Sequence, residues 1–90
     1  MQETFLITVA GKVQGVFYRQ STKEKAMELG LTGTVKNLPN GNVEIMASGT
    51  PQQLNALVAW CKQGPPKAEV KEIKVEKKEP HAFFGFTIQR

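Results

Sequence analysis

The sequence predicts an α+β sandwich, with two helices packed on one face of a mostly antiparallel sheet. Three observations lead there. Apolar residues alternate with period two in several short segments spread along the chain. Two intervening segments carry helix start and stop signals. The two kinds of segment follow the order βαββαβ, with one more short strand at the C-terminal end, which is the ferredoxin-like arrangement.

The first strand is expected over Thr4–Ala10, with Phe5, Ile7 and Val9 on one face and Thr4, Leu6 and Thr8 on the other. Gly11 to Tyr18 is expected as a loop, and Arg19–Leu29 as the first helix. Thr22, Ala26 and Leu29 share a face of that helix, and Gly30 supplies its stop. Leu31–Asn37 is the second strand. Leu38-Pro39-Asn40-Gly41-Asn42 is a hairpin turn, because Asn-Gly accepts positive φ. Val43–Ser48 returns, with Val43, Ile45 and Ala47 facing one way.

The second helix has a full start signal: Thr50 as N-cap, Pro51 at the first helical position and Gln53 to complete a capping box. Leu54, Leu57, Val58 and Cys61 follow with i, i+3, i+4, i+7 spacing, so this face packs on the sheet. Trp60 lies off the stripe and is expected to be partly buried. Gly64-Pro65-Pro66 ends the helix. Val70–Glu79 is a long strand with Val70, Ile73 and Val75 as its apolar points. Its pattern slips between 70 and 73, which marks a bulge or a late strand start. Phe84, Phe86 and Ile88 alternate in the last strand.

The 90 residues amount to one domain, 1–90, with a single modest core. No apolar run approaches the ~20 residues of a membrane span. The start, Met1-Gln2-Glu3-Thr4, has no export signal, so the cytoplasm is the expected location. Cys61 is the only cysteine, which excludes an internal disulfide and a cysteine metal cluster. The net charge of +4 is mild. Lys67, Lys71, Lys74, Lys77 and Lys78 interleave with Glu69, Glu72, Glu76 and Glu79, which reads as the solvated face of a strand and not as a nucleic-acid patch. Such an edge also resists strand pairing between molecules, and a monomer is expected.

The chemistry is expected in Gly11-Lys12-Val13-Gln14-Gly15-Val16-Phe17-Tyr18-Arg19, a glycine-bracketed turn between a strand and a helix. Free backbone N–H groups, a helix N-terminus and one guanidinium fork together suit a phosphate-sized anion. Arg19 is either a surface residue or an anion ligand. The first turn of a helix is electrostatically poor for a cation, and an anion between the two would resolve the conflict. Gly15 reads as a turn residue with positive φ, and the amides of Gly15, Val16, Phe17, Tyr18 and Arg19 can form an anion nest. The apolar side chains of this stretch are expected to anchor the loop in the core. Asn37, at the end of a strand, is either an Asx-turn residue or a neutral amide that positions water. His81 reads as a solvated loop histidine and Cys61 as a small buried hydrophobe. Glu28 and Glu44 are isolated carboxylates. No metal-ligand cluster, Ser-His-Asp set or Walker loop occurs.

These residues resemble the acylphosphatase family over essentially the whole chain. Gly11 to Arg19 meets the motif Gly-x-Val-Gln-Gly-Val-x-Phe/Tyr-Arg, and Gly33-Thr34-Val35-Lys36-Asn37 meets a second, with Gly41, Val43 and Gly49 at matching spacing. Leu29-Gly30-Leu31 between them also fits. Thr34 departs from the usual aromatic and is expected to loosen packing beside the site, and Asn40 replaces a common acidic turn residue. The resemblance implies hydrolysis of the carboxyl–phosphate bond of a small-molecule acyl phosphate, with no cofactor and no metal. It implies that Arg19 and the amides of 15–19 hold the phosphoryl group and that Asn37 orients the attacking water. The alternative is a non-catalytic anion- or RNA-binding module on the same fold. RNA-recognition domains share the element order, and Phe84-Gly85-Phe86 faintly resembles their aromatic motif. That motif belongs on a central strand, whereas here it lies at the chain end, where core packing is the simpler role.

Overall fold

The computed structural model describes residues 2–89. Its elements are β1 (Glu3–Lys12), α1 (Tyr18–Leu29), β2 (Thr32–Asn37), β3 (Val43–Gly49), α2 (Pro51–Cys61), β4 (Glu69–Lys78) and β5 (Phe86–Gln89). One five-stranded sheet has the order β4-β1-β3-β2-β5. β1 pairs antiparallel with β3 and β4, and β2 antiparallel with β3, while β5 joins β2 in parallel. α1 lies over β2 and β5, and α2 over β1, β3 and β4. The βαββαβ sandwich is therefore present, with the terminal strand on its far edge.

The core fills the space between the helices and the sheet. Ile7, Val9, Val35, Val43, Ile45 and Ala47 supply the sheet side, and Ala26, Leu54, Leu57 and Cys61 the helix side. Fully burying a leucine such as Leu54 or Leu57 is worth ~1.5–3 kcal/mol. Phe5, assigned to the same face as Ile7 and Val9, is only half-buried, since it lies near the start of the strand. α2 begins as its sequence requires. The Gln53 amide donates to Thr50 Oγ1 (3.2 Å), and the Thr50 amide donates to Gln53 Oε1 (2.9 Å). Gly30 stops α1, with its amide on the Met27 carbonyl and that of Leu31 on Ala26.

Several strand ends differ from the expectation by one residue, and three larger or more telling differences have a physical reason. Gly11 and Lys12 belong to β1 and not to the loop. The ladder with β4 shifts register here: Ala10 faces Glu72 while Gly11 faces Val70, leaving Lys71 as the extra residue of a bulge. The slip in the β4 pattern is thus a bulge, and a Cβ on Gly11 would run into the Glu69 carbonyl. Tyr18 belongs to α1, and its buried ring packs on Trp60 with centroids 5.6 Å apart. Phe84 lies outside β5 and is fully exposed. Pairing with β2 starts only after it, with the Gly33 amide on the Gly85 carbonyl (2.9 Å), so the pleat that buries Phe86 does not reach Phe84.

The open face of the sheet holds a polar clasp. Thr4 and Ser48 are cross-strand partners, buried, with hydroxyls 2.6 Å apart. The His81 amide donates to Thr4 Oγ1 (2.9 Å), and Ser48 Oγ donates to the His81 carbonyl (2.7 Å). This pins the segment that connects β4 to β5. The His81 side chain itself is exposed and packs against Phe83 in a tilted arrangement with centroids 4.5 Å apart. β4 is an edge strand with its lysines and glutamates mostly exposed, as their alternation predicts.

Candidate active site

Strand direction decides which residues meet. β3 runs against both β1 and β2, so β1 and β2 point the same way, and β5 is parallel to β2. The C-terminal ends of three strands therefore share one end of the sheet. The β1–α1 loop leaves from the first, Asn37 ends the second, and Ile88 and Gln89 end the third. A cleft of about 360 Å³ opens there. Val13, Gly15, Phe17, Arg19 and Gln20 line it from the loop and the first helical turn, and Asn37 and Ile88 from the strand ends.

The loop is held by two of its side chains. Val16 and Tyr18 are buried, and the Tyr18 hydroxyl donates to the Cys61 carbonyl (2.8 Å). Burial pushes the Tyr18 hydroxyl well above its ordinary range, and the neighbouring Cys61 adds to this. Burial likewise pushes the Cys61 thiol up to about 12, so both groups stay neutral in the folded protein at neutral pH. Phe17 departs from the expectation of an apolar anchor: it is 76% exposed and adopts a left-handed conformation, φ 63° and ψ 24°. Gly15 also has positive φ, 74°, with open space where a Cβ would stand, so its need is conformational.

The start of α1 is uncapped. Phe17 occupies the N-cap and makes no side-chain cap bond, and the first turn has no acidic residue. The first backbone bond of the helix is from the Ser21 amide to the Phe17 carbonyl (3.0 Å). The amides of residues 17 to 20 precede it and have no intrahelical partner. In α2, by contrast, side chains satisfy the amides of Thr50 and Gln53, and Pro51 has no N–H to satisfy. Arg19 sits in that uncapped first turn, and its Nη1 donates to the Gln89 carbonyl (3.2 Å). A β5 backbone group thus braces the guanidinium beside the cleft.

Asn37 Oδ1 is buried and accepts no hydrogen bond from any described residue. An Asx turn does follow it, but Asn40 forms it: its Oδ1 accepts from the Asn42 amide at 3.0 Å. Gln14, read from the sequence only as a motif position, links the two halves of the site. Its Nε2 donates to the Leu38 carbonyl and to the Asn42 carbonyl, both at 2.9 Å. It ties the residue before Gly15 to the turn that follows Asn37. Sequence reasoning also passed over Gln20, Ile88 and the Gln89 carbonyl, because nothing local marks them.

Other residues lie elsewhere. Cys61 is in the core, and His81 is held by the clasp at the opposite end of β1. Thr34 alternates with buried Val35 and so lies on the sheet face away from the helices, and it is not among the residues that line the cleft. Among the described residues, the cleft lining contains no carboxylate, histidine or cysteine. Among the described residues, no group of three or more His, Cys, Asp or Glu stands close enough to hold a metal ion.

Fold and cleft together define a ferredoxin-like α+β sandwich whose helix N-terminus, arginine and strand-end asparagine face one space. The acylphosphatase family model matches residues 5–88. An acylphosphatase of Marinobacter nauticus is 59% identical over 70 residues, 78% of this chain and 76% of its own length. An acylphosphatase of Acaryochloris marina is 51% identical over 91% of this chain and 88% of its own. The solved structure of an acylphosphatase from Coxiella burnetii superimposes with a TM-score of 0.95 at 41% identity, covering 98% of this chain and 93% of that one. The chain belongs to the acylphosphatase family.

Proposed function

We propose that this chain hydrolyses the carboxyl–phosphate bond of small-molecule acyl phosphates, giving a carboxylate and inorganic phosphate. Family membership supports the reaction class, and the chemistry of the cleft supports the division of roles. The amides of Gly15 to Arg19 and the Arg19 guanidinium hold the phosphoryl oxygens. Their positive partial and full charges neutralise the charge that spreads over the equatorial oxygens during transfer. Asn37 Oδ1 accepts a hydrogen bond from the attacking water and turns its lone pair toward phosphorus. A bond forms from water oxygen to phosphorus, and the bond from phosphorus to the acyl oxygen breaks. The carboxylate leaves with the electron pair, and the water proton passes to a phosphoryl oxygen.

The carboxylate is a good leaving group, so no general acid is required. This reading suits a cleft whose described lining offers backbone amides, one guanidinium and the side-chain amides of Gln20 and Asn37, with no carboxylic acid or imidazole. The site is metal-independent on this account, since charge neutralisation comes from the chain itself. The protein acts as a cytoplasmic monomer, with residues 1–90 working as one domain. The observation that carries the proposal is the unpartnered Oδ1 of Asn37 in the same cleft as Arg19 and an uncapped helix start.

The experiment is hydrolysis of benzoyl phosphate in ¹⁸O-labelled water. Attack at phosphorus puts the label in inorganic phosphate. Label in benzoate would mean attack at the carbonyl carbon and would overturn the roles of Arg19 and Asn37. Absence of turnover with retained phosphate binding would leave a non-catalytic anion-binding module.

A further inference from the structure

Phe17 is in a position its chemistry does not favour. It is the one non-glycine residue with positive φ among the described residues. A left-handed conformation costs a residue with a Cβ ~1–2 kcal/mol. Glycine or asparagine would make the same turn at lower cost. Burial does not offset the cost, because the ring is 76% exposed while its neighbours Val16 and Tyr18 are at 7% and 1%. Strain held at an exposed aromatic beside a cleft is the kind of outlier that points to a role for the side chain.

The cleft shows what that role is. Phe17 and Ile88 line it, one from the helix start and one from the end of β5, and both side chains are apolar. Among the described residues, Arg19 is the only charged one in the lining. An acyl phosphate has two parts, and the loop amides with the Arg19 guanidinium account only for the phosphoryl half. The acyl half has to lie outside the amides and the guanidinium, along the remaining lining. Among the described residues, that lining has no second cation to receive a carboxylate, but it has a flat ring and a branched aliphatic side chain.

Resting on the proposed acyl-phosphate hydrolysis, we infer that the Phe17 ring and Ile88 form an apolar subsite for the acyl group, and that the site selects acyl phosphates with an aromatic acyl group. The backbone and the side chain of Phe17 then have separate tasks. Its amide belongs to the phosphoryl donors, and its ring packs on the acyl group as aromatic rings pack on one another. The exposure of the ring in the free protein follows, because its partner arrives with the substrate.

The test compares kcat/KM for benzoyl phosphate and acetyl phosphate in the wild type and in Phe17→Asn, Phe17→Gly and Phe17→Tyr. Asparagine and glycine keep the amide and accept the left-handed backbone, so they remove the ring without disturbing the turn. The quantity read is the benzoyl-to-acetyl ratio, whatever happens to the absolute rates. The expected result is a fall of about tenfold in the ratio for Phe17→Asn and Phe17→Gly, the size of one aromatic contact made and lost, and a ratio near that of the wild type for Phe17→Tyr. A ratio unchanged within about twofold in the asparagine and glycine variants, or an equal loss on both substrates, would overturn the subsite while leaving the hydrolysis intact. Failure of the wild type to turn over either substrate would instead defeat the underlying activity.

Discussion

Gln14→Ala is the most informative structural perturbation, because one side chain bridges the two halves of the cleft. Its Nε2 makes two hydrogen bonds of 2.9 Å, to the carbonyls of Leu38 and Asn42. A net hydrogen bond is worth ~1 kcal/mol, and water can re-bond carbonyls that are only part-buried, so the two together are worth ~1–2 kcal/mol. For a domain of this size that lowers Tm by roughly 5–15 °C. The kinetic effect should exceed the stability effect. Leu38 directly follows Asn37, and a shift of ~1 Å in a catalytic group can cost on the order of 100-fold in rate. The assay is thermal unfolding together with kcat on benzoyl phosphate. Gln14→Glu is the matched control: it keeps the length of the side chain but has no donors when ionised, so it should behave like the alanine variant. A Tm within ~2 °C of wild type and kcat within about twofold would refute the bridging role.

Further predictions concern the site and its support. Asn37→Ala should reduce kcat by roughly 100-fold or more, while inorganic phosphate still inhibits; loss of phosphate affinity in its place would contradict the water-orienting role. Phe17→Asn should raise the free energy of unfolding by ~0.5–1 kcal/mol in urea titrations, since it relieves left-handed strain and loses little burial; a less stable variant would show that the ring packs in the free protein. Stability should fall as pH rises above the ordinary thiol value of 9.0, because Cys61 titrates near 12 when folded and Tyr18 is also raised. The folded state then holds more protons than the unfolded state, so the slope is negative, up to ~1.4 kcal/mol per pH unit for each group. Cys61→Ala should make that alkaline slope shallower in urea unfolding between pH 8 and 11, and an unchanged slope would remove the thiol from the explanation.

What could be read from the sequence was local. Thr50, Pro51 and Gln53 define the start of α2 within four residues, and the capping bonds follow. The stripe of Leu54, Leu57 and Cys61 reports burial through its period, and the slip near Val70 reports the bulge. The bonds that shape the cleft span the chain. Gln14 reaches residues 24 and 28 positions away, and Arg19 reaches Gln89, 70 positions away. No periodicity encodes such contacts. Only the strand order, with three C-terminal ends on one side, brings Asn37 and Ile88 to the loop. Asn37 therefore had two readings until the direction of β2 was known, and the Asx turn belonged to Asn40. Phe17 was misread because an apolar residue between two buried ones suggests burial, while the backbone turn at the helix start rotates it outward. Gly11 was read as a loop residue for a similar reason: a glycine motif does not reveal that β4 passes close by.

The central claim is that Arg19, and no metal ion, neutralises the phosphoryl group in this cleft. It is tested by the hydrolysis of benzoyl phosphate with EDTA present, by the wild type and Arg19→Ala side by side. The account predicts wild-type turnover unaffected by the chelator and a loss of at least ~100-fold in the variant. Comparable turnover by Arg19→Ala, or a wild type silenced by EDTA, would contradict it.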